Sequence, residues 1–193
     1  MGQYYFPVNV TKRQFIHPHK FSDGLKLLEF GSSGNATMLG LAILLADGNG
    51  RGGGDLMGVD DLPVVGSWAG DQIVISGDYS DPGKFVPPDL AGPDHLDAKD
   101  KAGGYCKDGY NLHQVAERHF EDVSGAVWEA LLRDKWIKEE IGKCLAAGDM
   151  FLLGSFLGKP TKGDPYHNDP KLRAAFVAAF GEKVINAAAR KAA

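Results

Sequence analysis

The sequence predicts an α+β fold, with antiparallel hairpins around one buried helix in the N-terminal half and a helical C-terminal half. Three observations predict it. Aromatic and β-branched residues cluster before residue 81, as in Tyr4-Tyr5-Phe6-Pro7-Val8-Asn9-Val10 and Ile73-Val74-Ile75. From Leu112 onward apolar residues recur at helical spacing, with Val127, Trp128, Leu131, Leu132, Ile137 and Ile141 at core positions. Strands and helices do not alternate, so no βαβ unit is expected. At 193 residues the chain has the length of a single domain. It reads as a strand-rich stretch over 1–81, a loop region over 82–111 and a helical stretch over 112–193.

Taken in order, Tyr4–Val10 is a strand in which Pro7 favours an edge or a bulge. Thr11-Lys12-Arg13 is a turn, and Gln14-Phe15-Ile16 returns as the second strand. Asn35 is a good N-cap for a helix through Met38, Leu39, Leu41, Ala42, Leu44 and Leu45. That helix has almost no polar face, so it is expected at the centre of the fold. Asp47-Gly48 stops it. Val64-Val65 and Ile73-Val74-Ile75 read as a second hairpin turning at Trp68-Ala69-Gly70-Asp71. Residues 80–111, with four prolines after Ser80 and repeated Asp and Gly, read as a long loop. Helices follow over roughly 112–120, 122–133 and 135–147, and Met150–Leu153 is a short buried strand or turn. Asp169-Pro170 is a strong helix start, Gly181 the matching stop, and an Ala-rich helix covers 182–192.

Composition narrows the function classes. No apolar run approaches the roughly 18 residues that cross a bilayer. The net charge of −4 argues against a nucleic-acid surface. Between residues 47 and 111 five basic groups face twelve acidic ones, all Asp, so the excess negative charge lies in the middle third. Met1–Phe6 lacks the basic start and apolar run of a secretory signal. The two cysteines, Cys106 and Cys144, form no CxxC pair, which favours a reducing compartment, so a cytoplasmic location is expected.

Several constellations are candidates for chemistry. Gly48-Asn49-Gly50-Arg51-Gly52-Gly53-Gly54-Asp55 lacks the Lys-Ser/Thr of a phosphate loop and follows a helix rather than a strand. Asp47-Gly48-Asn49-Gly50-Arg51-Gly52 begins like a calcium loop, but Arg51 and Gly58 stand where oxygen ligands belong. A looser calcium or magnesium site would draw on Asp47, Asn49, Asp55, Asp60 and Asp61. His17-Pro18-His19 with Asp23 resembles a transition-metal cluster, since two His at i and i+2 on a strand point to one face. Such a lone cluster is more often a hairpin end. Asp71, Asp78 and Asp81 flank the Ile73–Ile75 strand and are the candidate ligands or acid–base groups of a phosphoester hydrolase. Trp68, Trp128 and Trp136 read first as packing residues. Arg51, Trp68 and Tyr79 are the candidate contacts to a protein partner.

Four stretches carry a family resemblance: Met1-Gly2-Gln3-Tyr4-Tyr5, Asp23-Gly24-Leu25-Lys26-Leu27-Leu28-Glu29, Gly50-Arg51-Gly52-Gly53-Gly54-Asp55, and Trp68-Ala69-Gly70-Asp71 through Gly77-Asp78-Tyr79. In them the chain resembles a family of small, mostly bacterial proteins with no established activity. The resemblance covers about residues 1–81. It implies a recurring N-terminal module and carries over no catalytic residue.

Three functions are therefore expected in order. The first is a non-catalytic interaction or assembly module that binds a protein partner or a second copy. The second is a calcium-binding domain built on residues 47–61. The third is a metal-dependent phosphoester hydrolase.

Overall fold

The computed structural model describes residues 2–32, 36–49, 55–103, 107–158 and 169–192. Four strands form one sheet: β1 (Tyr5–Asn9), β2 (Gln14–Phe15), β3 (Ile73–Gly77) and β4 (Glu121–Asp122), in the order β3-β1-β2-β4. The helices are α1 (Leu27–Phe30), α2 (Ala36–Leu45), α3 (Ala98–Gly103), α4 (Leu112–His119), α5 (Ser124–Leu131), α6 (Lys135–Ala147), α7 (Phe151–Phe156), α8 (Pro170–Phe180) and α9 (Glu182–Ala192). The fold is α+β. No described helix is long and apolar enough to cross a membrane.

The expected first hairpin forms, with Val8 opposite Phe15 and Asn9 opposite Gln14. The second does not. Residues 63–70 make consecutive turns, and β3 pairs antiparallel with β1 instead, Phe6 opposite Ser76 and Val8 opposite Val74. The reason lies at the end of α2, whose last carbonyls need donors from outside the helix. The Gly66 and Trp68 amides supply them, donating to Ile43 and Leu44 at 2.8 Å each, so this segment caps a helix rather than joining a strand. Pro7 also departs from expectation, since β1 lies inside the sheet. Beyond the two paired residues of β2, Ile16 N–H donates to the Pro7 carbonyl at 3.1 Å, and only the return bond is lost to the ring.

Four other readings change. The 80–111 region contains short 3₁₀ turns at Pro88–Leu90 and Pro93–His95, then α3, and buries Val86, Leu96 and Tyr110. His17-Pro18-His19 runs into a 3₁₀ turn, Pro18–Phe21, rather than along a strand. Residues 151–156 are helical. The expected helix from 122 starts at Ser124, because Glu121 and Asp122 are drawn into the sheet parallel to Gln14 and Phe15.

Helix ends with local signals follow the sequence closely. Asp169 accepts from the Lys171 and Leu172 amides at 3.0 Å each, Pro170 opens α8, and Gly181 ends it at φ 83°. Asp134 caps α6, and Gly148 ends it in the left-handed region. The N-cap expected at Asn35 lies outside the described residues. The carboxylate of Asp23 reaches the start of α2 instead, accepting from the Thr37 amide at 2.8 Å and hydroxyl at 2.6 Å.

Two apolar clusters fill the interior. The larger joins α2, α5, α7 and α8 around Trp68, Trp128, Leu153 and Phe176. The smaller packs α4 together with Val86, Leu96 and Tyr110 on one face of the sheet, against Phe6, Val8 and Phe15.

Candidate functional site

The acids expected to act together lie apart. Asp71 and Asp78 sit beyond opposite ends of β3, and seven extended residues span about 20 Å. Each is held by a local partner. Asp71 accepts from Asn9 Nδ2 at 2.8 Å and pairs with Lys12 at 3.2 Å; both contacts hold its carboxyl below the usual range, against the opposing effect of burial. Asp78 accepts from the Tyr4 amide at 2.9 Å, while Asp81 is exposed in the following loop. β3 thus keeps Asp71 and Asp78 too far apart to share a pair of metals about 3.5–4 Å apart.

In the 47–61 segment Asn49 is engaged on both sides of its amide. Its Oδ1 accepts from the Leu56 N–H and its Nδ2 donates to the Leu56 carbonyl, each at 2.9 Å. Asp61 pairs with Arg133, Asp47 and Asp60 are exposed, and Asp55 is half-buried. Residues 50–54, Arg51 among them, lie outside the described residues, as does Cys106. Among the described residues no group of three His, Cys, Asp or Glu side chains is placed to hold a metal. His17 and His19 do approach, their rings 5.3 Å apart, but Asp23 is turned to Thr37. Burial, reinforced by His19 and Lys20, lowers the pKa of His17 to about 3. Trp68 and Trp128 are fully buried, as packing residues should be, whereas Trp136 stands 69% exposed.

Sequence reasoning missed a buried ion triad. Lys20 Nζ lies 2.8 Å from Asp122 and 2.6 Å from Asp169, all three side chains being at most 17% exposed. Burial works against the ammonium, yet the two carboxylates outweigh it and raise the Lys20 pKa, so this lysine stays charged. The triad ties the 3₁₀ turn after β2 to β4 and to the start of α8, and Trp128 Nε1 donates to the Lys20 carbonyl at 2.8 Å. Beside it opens a cleft of about 520 Å³ lined by Phe15, His17, Lys20, Asp100, Arg118 and Phe156, among others. Two of its cations are neutralised from within, Lys20 by the triad and Arg118 by Asp97 at 3.5 Å, Asp100 at 3.2 Å and Glu117 at 3.4 Å. No local spacing links residues 20, 122 and 169, so only the fold reveals this group.

Two further surfaces stand out, one by its exposed apolar side chains and one by backbone groups left unpaired among the described residues. The first is α2. Its ten residues, Ala-Thr-Met-Leu-Gly-Leu-Ala-Ile-Leu-Leu, carry no charge, yet only one side is buried. Leu39 is 41% and Leu45 40% exposed, with Ala42 exposed between them, and α1 beside it adds Leu27 at 47% and Leu28 at 84%. The sequence displays this helix plainly, but its uniform apolarity does not distinguish the buried side from the exposed one.

The second is the outer edge of β3. Val74 and Ser76 face β1 for hydrogen bonding, in phase with the flanking bonds of Gln72 and Asp78, so the amides and carbonyls of Ile73, Ile75 and Gly77 point outward. Ser80 closes off Gly77, its hydroxyl accepting from the Gly77 amide at 3.2 Å and its amide donating to the Gly77 carbonyl at 3.1 Å. Ile73 and Ile75 remain. Alongside runs a groove of about 340 Å³ between this edge and the loop carrying Tyr79, Asp81, Lys84 and Phe85.

Comparison of the chain with family models, with curated proteins and with solved structures finds no match in any of the three.

Proposed function

We propose that the protein is a non-catalytic assembly module that docks a second copy of itself through the outward face of α2. One observation carries this reading: a helix apolar on every side presents Leu39, Ala42 and Leu45 to the exterior. A helix of that composition is stable in water when all its faces are covered. The spacing favours a second copy as the cover. With Ala42 at the crossing point of two antiparallel helices, Leu39 of each meets Leu45 of the other, and the small side chain between them allows close approach. Charge favours it too. Two chains of net charge −4 repel, and the α2 face, without ionised groups, adds no like-charge pair to that repulsion, while Glu29 of α1 is paired with Lys26.

A stable interface takes about 800 Å² from each partner. A ten-residue helix is only about 15 Å long, so the α1 leucines must share the contact and the association is a modest one. Sedimentation of the wild-type protein and of the double variant Leu39→Glu/Leu45→Glu tests the reading. Dimer is expected for the first and monomer for the second, with unchanged circular dichroism, because each glutamate would be buried against leucine without a counter-charge. A wild-type protein that stays monomeric at the highest reachable concentration overturns it.

A further inference from the structure

Independently of the α2 face, we infer that the outer edge of β3 is a docking groove for an uncharged extended segment of a partner polypeptide, added to the sheet as a fifth strand. The backbone chemistry selects the occupant. The amides and carbonyls of Ile73 and Ile75 face outward, and among the described residues nothing pairs with them. Two donors and two acceptors alternating along one line are matched by an extended chain and by little else. Because Ser80 closes the edge at Gly77, the open length is Ile73 to Ile75, about 10 Å at most, enough to pair with three residues.

Side chains flank this line on both sides. Ile75, 38% exposed, lies on the face shared with Pro7, opposite the smaller core. Across the groove stand Tyr79, 64% exposed, and Phe85, 48% exposed. The wall that carries them is fixed in place. Gly83 N–H donates to the Tyr110 carbonyl at 3.1 Å, Val86 N–H to the Gly83 carbonyl at 3.2 Å, and Val86 is buried in the smaller core. Phe85 is held at φ 60° inside the turn that the Val86–Gly83 bond closes, a left-handed conformation that costs a bulky residue energy. The groove carries one acid, Asp81, and one base, Lys84, so its charges cancel and a neutral segment with apolar side chains complements it.

The probe is the hexapeptide acetyl-Thr-Val-Thr-Val-Thr-Val-amide, titrated into ¹⁵N-labelled full-length protein. Amide shifts are expected at Ile73 and Ile75 and around Tyr79 and Phe85, with slowed hydrogen exchange at the two isoleucines. The same peptide N-methylated at every residue cannot pair with the edge and should bind at least tenfold more weakly. Phe85→Gly removes one wall while suiting its φ, so that variant should keep its fold and lose roughly tenfold in peptide affinity. Absence of shifts at Ile73 and Ile75, or equal binding of the N-methylated peptide, overturns the inference. So does slow, concentration-dependent exchange of those amides in the protein alone, which would assign the edge to pairing between copies. The Leu39→Glu/Leu45→Glu protein should bind the peptide as the wild type does, which separates this site from assembly through α2.

Discussion

Phe6 lies between two imidazoles, with ring centroids 4.8 Å from His17 and 4.0 Å from His113. Among the described residues, neither His17 Nδ1 nor either nitrogen of His113 has a hydrogen-bond partner. Burial is the main cause that lowers His17 from 6.5 to about 3, with His19, Lys20 and His113 adding to it. Burial also lowers His113 to about 4, assisted by Arg118 and opposed by Asp78. Both folded values lie below the ordinary 6.5, so the unfolded chain takes up these protons first. The stability they permit is complete above about pH 6.5 and is lost as the pH falls toward 4. At pH 5 the loss is about 2 kcal/mol for each ring. Asp23, raised chiefly by burial, has the opposite sign and acts only in the carboxylate range. His113→Phe should remove roughly half of the loss between pH 7 and pH 5 in urea unfolding; an identical loss in both proteins would place its origin elsewhere. Asn49 supports a second prediction. Both ends of its amide are bound to Leu56 and Asp61 is paired with Arg133, so millimolar calcium should leave the melting temperature unchanged. A rise that Asp47→Asn/Asp55→Asn abolishes would instead assign a calcium site to this loop.

Between elements, the Lys20 triad joins β4 and α8 to the turn after β2. Lys20→Met fills similar space but leaves Asp122 and Asp169 buried without a cation. A cost of about 3–5 kcal/mol is expected in urea unfolding. A loss under about 1 kcal/mol would mean that the carboxylates are rehydrated in the variant. Elements were legible in proportion to how local their signals are. Asp169-Pro170 and Gly181 mark α8 because a cap needs only its own neighbours. The partner of β3 was illegible because the choice between Val64-Val65 and β1 is settled by the carbonyls of Ile43 and Leu44, some 20 residues upstream. Likewise Glu121-Asp122 resembles the start of a helix until β2 is beside it.

For the molecule as a whole, the α+β class was readable from where β-branched residues and helical periodicity fall along the chain. Which apolar residues and which strand edge stay exposed was not. Leu39 and Leu41 look alike in sequence, and only packing leaves one 41% exposed and the other 8%. Ile73 and Ile75 were visible as strand residues, but which side of the strand stays open depends on the order β3-β1-β2-β4. Tyr79 stands beside that edge, while Trp68 is sealed in the larger core, so the two candidate contacts are alike in residue type but not in exposure. The same strand order governs how the protein is made. β2 is bounded by β1 on one side and on the other by β4, its Gln14 meeting Glu121 across 107 residues of sequence. At about 5–20 residues per second, β4 leaves the ribosome roughly 5–20 s after β2. During that interval the nascent hairpin offers Gln14-Phe15 as a bare strand edge, so this chain is most open to mispairing while it is still being translated.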